Sequence, residues 1–309
     1  MDAHATDVVA LAPATRYGYE LVLVAYHSRH LVEALLATLP PELPVAIVDN
    51  SHGADGLAEV AANRPATRYL DGPGRGYAAG ANLGARSSRY DTVIFVDPDS
   101  RPTPAQLDGL ASALVRGDDL AVVCAMTADH DGRAEIGVGG WEPTVGRALV
   151  HASGAHKLFP AAGLWARPRP GRPLDLHWLG GACMAMSMRH FHELGGFDES
   201  YFVYSEDVEY GRRIRAAGLR QELLTDMVIL HGGTGSGDGR DRMVQLRAAS
   251  MMRYVRRYNS AVTSLAIRVA LTAGYVGRWA VARLRGRAVT AREHAAYVRG
   301  LWLGAPDRT

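Results

Sequence analysis

DTVIFVDPDS, residues 91–100, holds the plan of this chain in ten residues. A short apolar, partly β-branched run from Asp91 to Val96, closed abruptly by acids and a proline, is the pattern of a buried strand rather than of a helix. The same build appears upstream in Tyr19 to Ala25 (YELVLVA) and in Pro44 to Asp49 (PVAIVD), which Asn50 and Ser51 stop, and downstream in Leu120 to Met126. Arg68 to Leu70 is a shorter strand candidate. Between these runs lie helix-like segments: His30 to Leu39, Asp55 to Asn63, a small-residue stretch that follows DGPGRG (71–76) and reaches Arg86, and Pro104 to Arg116 with proline in its first turn. Strands alternating with helices predict βαβ units with right-handed crossovers, hence an α/β fold on a mixed, mainly parallel sheet with flanking helices.

Further along, residues 127–176 dissolve into Gly, Pro and Arg with scattered Trp, the pattern of a loop-rich connection or flap. Order returns at His177 to Met188 (HWLGGACMAMSM), followed by a short helix, the turn GGFDES, a helix from Glu206 to Ala217, and a strand over 221–230 that ends on His231. The glycine-rich GGTGSGDG (232–239) then leads into a basic helical region studded with aromatics. At 309 residues and 48% apolar content the chain is no disordered or fibrous protein, and it can bury a sizeable core. Cys124 and Cys183 sit in apolar runs, so they are expected reduced and buried, as in a reducing compartment. The first 17 residues carry acids and lack a basic start before an apolar stretch, which predicts no export signal and a cytoplasmic location.

The net charge of +2 conceals a polarised molecule. Residues 240–309 hold 14 arginines against Asp241, Glu293 and Asp307, a net +11, and the remainder carries −9. Such asymmetry predicts a tail that meets something anionic, or else a solvated helical face.

Open α/β sheets bind ligands beyond the carboxyl ends of their strands, and here those ends are acidic: Asp49 after the second strand, Asp97 and Asp99 after the fourth. Two carboxylates one residue apart, with Pro98 restricting the turn, suit Mg²⁺ or Mn²⁺ bridging protein and phosphate oxygens; an Asx-type turn is the other reading. In SED (205–207), Glu206 and Asp207 open a helix on different faces. The helix dipole stabilises both as anions, and a positioned carboxylate there is also able to take a proton from an attacking hydroxyl. His231, at a strand end before a glycine loop, is either structural or able to complete a metal site.

In this order and spacing, VAYHS (24–28), AIVDNS (46–51), GRGYAAGANLG (74–84), VIFVDPDS (93–100), WLGGACMAMSM (178–188), GGFDESYFVYSEDVEYGRRIRAAG (195–218) and ILHGG (229–233) resemble the inverting nucleotide-sugar glycosyltransferases of family 2, which have the GT-A fold. The resemblance covers about Tyr19 to Gly235 and is strongest from Trp178 to Gly218; within the family the chain is similar to actinobacterial rhamnosyltransferases acting on polyprenyl-diphosphate-linked sugars. It implies Asp207 as catalytic base with Glu206 as companion acid, and Asp99 with His231 at the cation. It also implies donor contacts from Ala25, Tyr26, Asp49, Asn82, Asp97, Gly180 and Gly181, and acceptor contacts from Trp178, Tyr204 and Arg213. Glu209 lies four residues before Arg213, so a helical ion pair is an equal reading there. Where the family usually shows Asn-x-Gly, this chain has Gly74, Arg75 and Gly76, so Arg75 becomes either a donor contact or an exposed loop arginine.

The resemblance implies transfer of a sugar, rhamnose from dTDP-rhamnose first, to a glycan or polyprenyl-diphosphate-linked acceptor in cell-envelope polysaccharide synthesis. The alternatives are a UDP-sugar donor (galactofuranosyl, glucosyl or N-acetylglucosaminyl) and a non-catalytic sugar- or nucleotide-binding module. Residues 1–239 form the expected transferase domain and 240–309 a basic amphipathic helical extension that docks on a membrane or acceptor, or on a second subunit. Val262 to Ala282 contains Arg268 and Arg278, each costing about 2.5–3.5 kcal/mol at a bilayer centre, so it reads as an interfacial helix with Tyr275, Trp279, Tyr297 and Trp302 as interface aromatics. That places the protein peripherally at the inner face of the plasma membrane. A dinucleotide oxidoreductase is disfavoured because no Gly-x-Gly-x-x-Gly follows the first strand, and nucleic acid because bare strand-end acids repel phosphate.

Overall fold

The computed structural model describes residues 16–135, 137–169, 171, 173–180, 182–232 and 239–305. The first half runs β1 (Tyr19–Ala25), α1 (Arg29–Leu36), β2 (Val45–Asp49), α2 (Leu57–Ala62), β3 (Thr67–Asp71), α3 (Tyr77–Arg86), β4 (Thr92–Val96), β5 (Ser100–Arg101), α4 (Pro104–Leu114) and β6 (Leu120–Ala128). Then come β7 (Gly139–Gly140), α5 (Val145–Ser153), β8 (Leu174–Asp175), β9 (Trp178–Leu179), β10 (Cys183–Ser187), α6 (Met188–Glu193), α7 (Glu206–Ala216) and β11 (Arg220–His231). Three helices close the chain: α8 (Arg240–Tyr258), α9 (Ala261–Leu284) and α10 (Ala288–Leu303).

The main sheet runs β3-β2-β1-β4-β10-β6-β11-β5, with β8 added against β11. β1, β2, β3 and β4 are parallel neighbours; β10 enters antiparallel between β4 and β6; β11 returns parallel to β6. This is the mixed, mainly parallel sheet expected. β2, β4 and β6 are buried along their whole length because helices cover both faces of the sheet, which is why these strands read as continuous apolar runs. The pleat sorts their side chains: Leu21, Leu23, Ile47 and Ile94 join Leu107 and Leu110 of α4 on one face, while Val22, Val48 and Phe95 join Ala81 and Ala85 of α3 with Phe191 and Phe197 on the other.

Two expectations change. The 127–176 segment contains a regular helix, α5, capped by the Thr144 hydroxyl, which accepts from Arg147 N. It packs closely on α9, where Gly274 leaves no room for a side chain: a Cβ there would stand 2.6 Å from Ala152 Cα. The tail, for its part, has a core of its own. Met252, Tyr254, Val255, Ile267, Leu271, Tyr297 and Leu301 cluster with Ala148, Leu164 and Tyr201 of the preceding chain. Its charge is partly spent internally, since Arg257 pairs with Asp198 and Arg240 with Glu293, and the hydroxyls of Tyr254 and Tyr258 tie it to Glu142 and Glu209 at 2.7 Å. Two of the four expected interface aromatics turn inward: half-buried Tyr275 stacks on Tyr297, centroids 3.9 Å apart, and Tyr297 is buried. Trp279 and Trp302 remain exposed. Among the described residues no helix is long and apolar enough to cross a membrane.

Candidate active site

The parallel topology brings the ends of β1, β2 and β4 to one edge, and β11 carries His231 back to the same edge through its pairing with β5, where His231 lies opposite Ser100. Asp97 follows β4 and Asp99 opens the turn into β5. Oxygens of Asp97 and Asp99 and a ring nitrogen of His231 lie within 4.8 Å of one another. His231 Nε2 is 3.3 Å from Asp99 Oδ1 and 3.8 Å from Asp97 Oδ2. Its other nitrogen, Nδ1, is 2.8 Å from Glu135 Oε2, which also accepts from Thr127 Oγ1 at 2.6 Å.

These contacts set the charges. Burial pushes the Asp97 carboxyl up to about 7, against the pull of His231, with Asp99 and Glu135 adding to the rise. Burial works against the His231 imidazolium, yet its hydrogen bonds to Asp99 and Glu135 and the nearby Asp97 outweigh that and raise it to about 10. Three acids therefore share one proton-bearing imidazole, an arrangement with a place for a cation: two carboxylates and one nitrogen match what Mg²⁺ or Mn²⁺ accepts. Glu135 holds His231 from behind, as carboxylates commonly hold a metal-binding histidine.

Across from this cluster, α7 begins on a strained backbone. Tyr204 and Ser205 both have φ near +66°, a region that residues with a Cβ seldom occupy and that clusters at functional sites. The bend presents Glu206 and Asp207 at the start of α7. Burial pushes Asp207 up to about 6; the Val208 amide, donating to its Oδ1 at 2.7 Å, and the charge of Arg247 restrain the rise. Burial, and then the adjacent Asp207, raise Glu206 well above the carboxylate range, and its Oε2 has no hydrogen-bond partner. The pair thus divides into an ionised Asp207 and a neutral Glu206, since two adjoining carboxylates do not both ionise in a buried place. Tyr77 completes the rim: burial, then Asp97, Glu206 and Asp207, hold its phenol well above the usual range.

The other expected residues divide in two groups. Ala25 ends β1, where its carbonyl accepts from Asn50 N, and Tyr26 beyond it is exposed. Asp49 is fully buried and accepts from Ser51 N, Ser51 Oγ, Gly53 N and Tyr69 Oη; burial alone would raise it, but these donors hold it below its ordinary value. Gly180 lies against the Val138 carbonyl, to which its amide donates at 2.7 Å, and Gly181 lies outside the described residues. Tyr204 carries the Arg247 guanidinium 4.7 Å above its ring.

Four residues are not presented to a ligand. Asn82 is buried, and its amide is consumed by Phe197 N, Phe197 O and Glu199 Oε1. Arg213 forks onto Glu209 and donates to the carbonyls of Leu194 and Gly196, so the helical ion pair is what forms. Trp178 is buried with its indole N–H on the Trp141 carbonyl. Arg75 is exposed and paired with Glu199 at 2.9 Å. What the GRG turn requires is Gly76: at φ +100°, a Cβ on it would stand 2.0 Å from the Phe202 carbonyl, which accepts the Tyr77 amide at 2.7 Å. The turn and the YFVY bend (201–204) are thereby clamped together ahead of α7.

Residues 25–170 match the profile of glycosyl transferase family 2. An N-acetylglucosaminyl-diphospho-decaprenol L-rhamnosyltransferase of Mycobacterium tuberculosis is 29% identical over 256 residues, covering 76% of this chain and 82% of that one. A low-salt glycan biosynthesis hexosyltransferase of Haloferax volcanii is 25% identical over 201 residues, 63% of this chain and 61% of the other. Among solved structures, a mannosyltransferase of Pyrobaculum calidifontis, in complex with GDP-Man and Mn²⁺, superposes with a TM-score of 0.57 at 17% identity, over 95% of this chain and 90% of that chain. The mixed sheet with its flanking helices has the GT-A fold, and the family 2 match with its rhamnosyltransferase relative supports a glycosyltransferase. Within that class the likeness is to glycosyl transferase family 2, over residues 25–170.

Glu135, Tyr77 and Arg247 were not legible as site residues. Glu135 stands in a segment without periodic pattern and reaches His231 across 96 positions; Tyr77 and Arg247 carry no local signal beyond a neighbouring glycine turn and a run of basic residues.

Proposed function

We propose that the protein is an inverting, metal-assisted rhamnosyltransferase that moves rhamnose from dTDP-rhamnose to a hydroxyl of a polyprenyl-diphosphate-linked sugar in cell-envelope synthesis. The observation that carries this reading is the nearness of two groups of acids: Asp97 and Asp99 with His231, and the Glu206–Asp207 pair, with the Asp97 charge acting on Glu206 and burial raising Asp207 to about 6. The mycobacterial relative supports the donor and acceptor class.

In this reading the nucleotide base lies against Ala25, Tyr26 and the Asp49 turn, and Gly180 lets the backbone pass close beneath the sugar. Asp97, Asp99 and His231 would hold a Mg²⁺ or Mn²⁺ ion, which would supply positive charge against the donor diphosphate. Asp207 accepts the proton of the acceptor hydroxyl on the face opposite the nucleotide. As the acceptor oxygen bonds to the anomeric carbon, the bond to the diphosphate breaks and its electron pair leaves with the nucleotide, so the configuration inverts. Neutral Glu206 keeps a second negative charge away from Asp207. The 240–309 extension adds a membrane-facing surface: exposed Val276, Trp279, Val281, Leu284 and Trp302 accompany exposed Arg283, Arg285 and Arg287, suited to an anionic cytoplasmic leaflet.

Asp207→Asn tests the chemistry. A positioned base contributes about 10²–10⁴-fold, so turnover should fall by that factor while the affinity for dTDP-rhamnose, measured calorimetrically with Mn²⁺, is retained. The wild-type kcat/KM should fall about tenfold per pH unit below about 6, because protonation disables the base, and the variant should lose this limb. Equal loss of donor affinity and turnover would refute the assignment.

A further inference from the structure

A cavity of about 290 Å³ that none of the roles above uses is lined by Arg247, whose guanidinium lies over Tyr204. Its walls come from α5, from the 164–167 segment and from all three C-terminal helices. Two flat surfaces face it. Tyr275 stacks on Tyr297 at 3.9 Å, and His151 stacks on His156 at 4.6 Å with Trp165 edge-on at 4.5 Å. Arg167 and Arg247 line the same space, and no carboxylate among the described residues forms an ion pair with either. The single acid of the lining, Glu293, is already drawn toward Arg240 at 3.5 Å.

The cavity is also short of partners in a way that interiors seldom tolerate. His151 Nδ1 and His156 Nδ1 are buried with no hydrogen-bond partner, and so is Arg278 Nη1 in the adjoining cleft, on a guanidinium lying 5.0 Å over Tyr275. Burial, then Arg278, His156 and Arg167, lower His151 to about 3, so it is a neutral ring and the cationic character belongs to the arginines. Aromatic plates with fixed guanidinium groups suit a sugar carrying phosphate.

Arg247 joins this cavity to the chemistry. Its guanidinium sits over Tyr204, the first of the two strained residues before α7, and its charge acts on Asp207. A molecule bound through its anionic group to Arg167 and Arg247 therefore lies within reach of the base. We infer that this cavity is the acceptor subsite, taking the diphosphate and first sugar of a glycosyl-diphosphate lipid, with the diphosphate on Arg167 and Arg247 and the sugar against the aromatic plates. The inference rests on the transferase reading and assigns the acceptor a place that the strand-end acids do not provide.

Inorganic pyrophosphate is the first probe, titrated calorimetrically without divalent cation so that the donor side is silent, and farnesyl diphosphate the second. One saturable site is expected, weakened about tenfold or more by Arg167→Ala or Arg247→Gln and unchanged by Asp99→Asn. Arg167 is exposed, so its variant should keep the wild-type Tm and answers for folding. Tighter binding of the prenyl diphosphate than of pyrophosphate identifies a lipid headgroup as the source; equal binding limits the site to free diphosphate and overturns the lipid assignment. In steady state the arginine variants should raise the acceptor KM and leave donor affinity alone. No pyrophosphate binding, or binding lost in Asp99→Asn but kept in the arginine variants, overturns the subsite; donor affinity and the Asp207→Asn result then still decide the transferase reading separately.

Discussion

Glu135→Gln is the sharpest test of the cation site, because it removes one charge and almost no volume. Glu135 Oε2 lies 2.8 Å from His231 Nδ1, and His231 Nε2 faces Asp99 at 3.3 Å. The carboxylate fixes the tautomer: with a proton on Nδ1 bonded to Glu135, Nε2 is the lone pair left for a cation. A glutamine keeps a hydrogen-bond acceptor but loses the charge, and its amide is able to rotate so that an N–H faces the ring. The bond is charge-assisted, worth about 1.5–3 kcal/mol, which corresponds to about 10–100-fold in Mn²⁺ affinity, the range seen when such a supporting carboxylate is removed. Thr127 also loses the ionised acceptor at 2.6 Å, so the figure belongs in the upper half of that range. Mn²⁺ binding followed by electron paramagnetic resonance or calorimetry measures it directly, with activity at saturating Mn²⁺ as a second readout. Weaker binding with turnover restored at high Mn²⁺ is the expected pair. Unchanged affinity would refute the role given to Glu135, and activity lost at saturating metal would show a different one.

Gly76→Ala should destabilise the protein by about 2 kcal/mol or more, since φ is +100° and the added Cβ meets the Phe202 carbonyl at 2.0 Å; thermal unfolding should show Tm lower by about 3 °C or more, and an unchanged Tm would mean that the turn and the 201–204 run are not clamped. Flotation with anionic liposomes should be strong for the wild type and lost, with Tm preserved, in the triple change Arg283→Glu, Arg285→Glu, Arg287→Glu, because each basic residue near such a surface contributes about 1 kcal/mol. Flotation that survives the change would leave the tail to a partner subunit.

Much of the sheet was legible because its information is local. A parallel strand covered on both faces needs apolar side chains on both, so TVIFV, VAIVD and LVLV announce themselves, and strand ends must carry whatever polar chemistry the sheet edge offers. β10 was harder, since a strand inserted antiparallel has no sequence mark that distinguishes it from a parallel one. The α5 helix was hidden by the glycines and arginines around it, and its apolar face makes sense only against Ala270, Leu271 and Gly274 of a helix more than a hundred residues away.

The residue types at the site were legible too, but their employment was not. Asn82 and Arg213 stand in the right motifs and are nonetheless consumed by the turn at 194–199, because a side chain's hydrogen bonds go to whichever groups folding brings nearest. Trp178 is turned inward, and Tyr275 and Tyr297, which composition places at an interface, close on each other instead.

The sequence by itself determined the order of strands and helices from Tyr19 to Met126, the acidic strand ends at Asp49, Asp97 and Asp99, the two carboxylates opening α7 and the split between an acidic body and a basic tail, since each follows from neighbours within a few positions. Only the tertiary structure decided that Glu135 stands behind His231, that burial and each other's charge raise Glu206 and Asp207, and that the charge of Arg247 from the tail acts on Asp207. Those facts depend on the dielectric surroundings and on distances between segments remote in sequence, which exist only once the sheet has brought its strand ends to one edge.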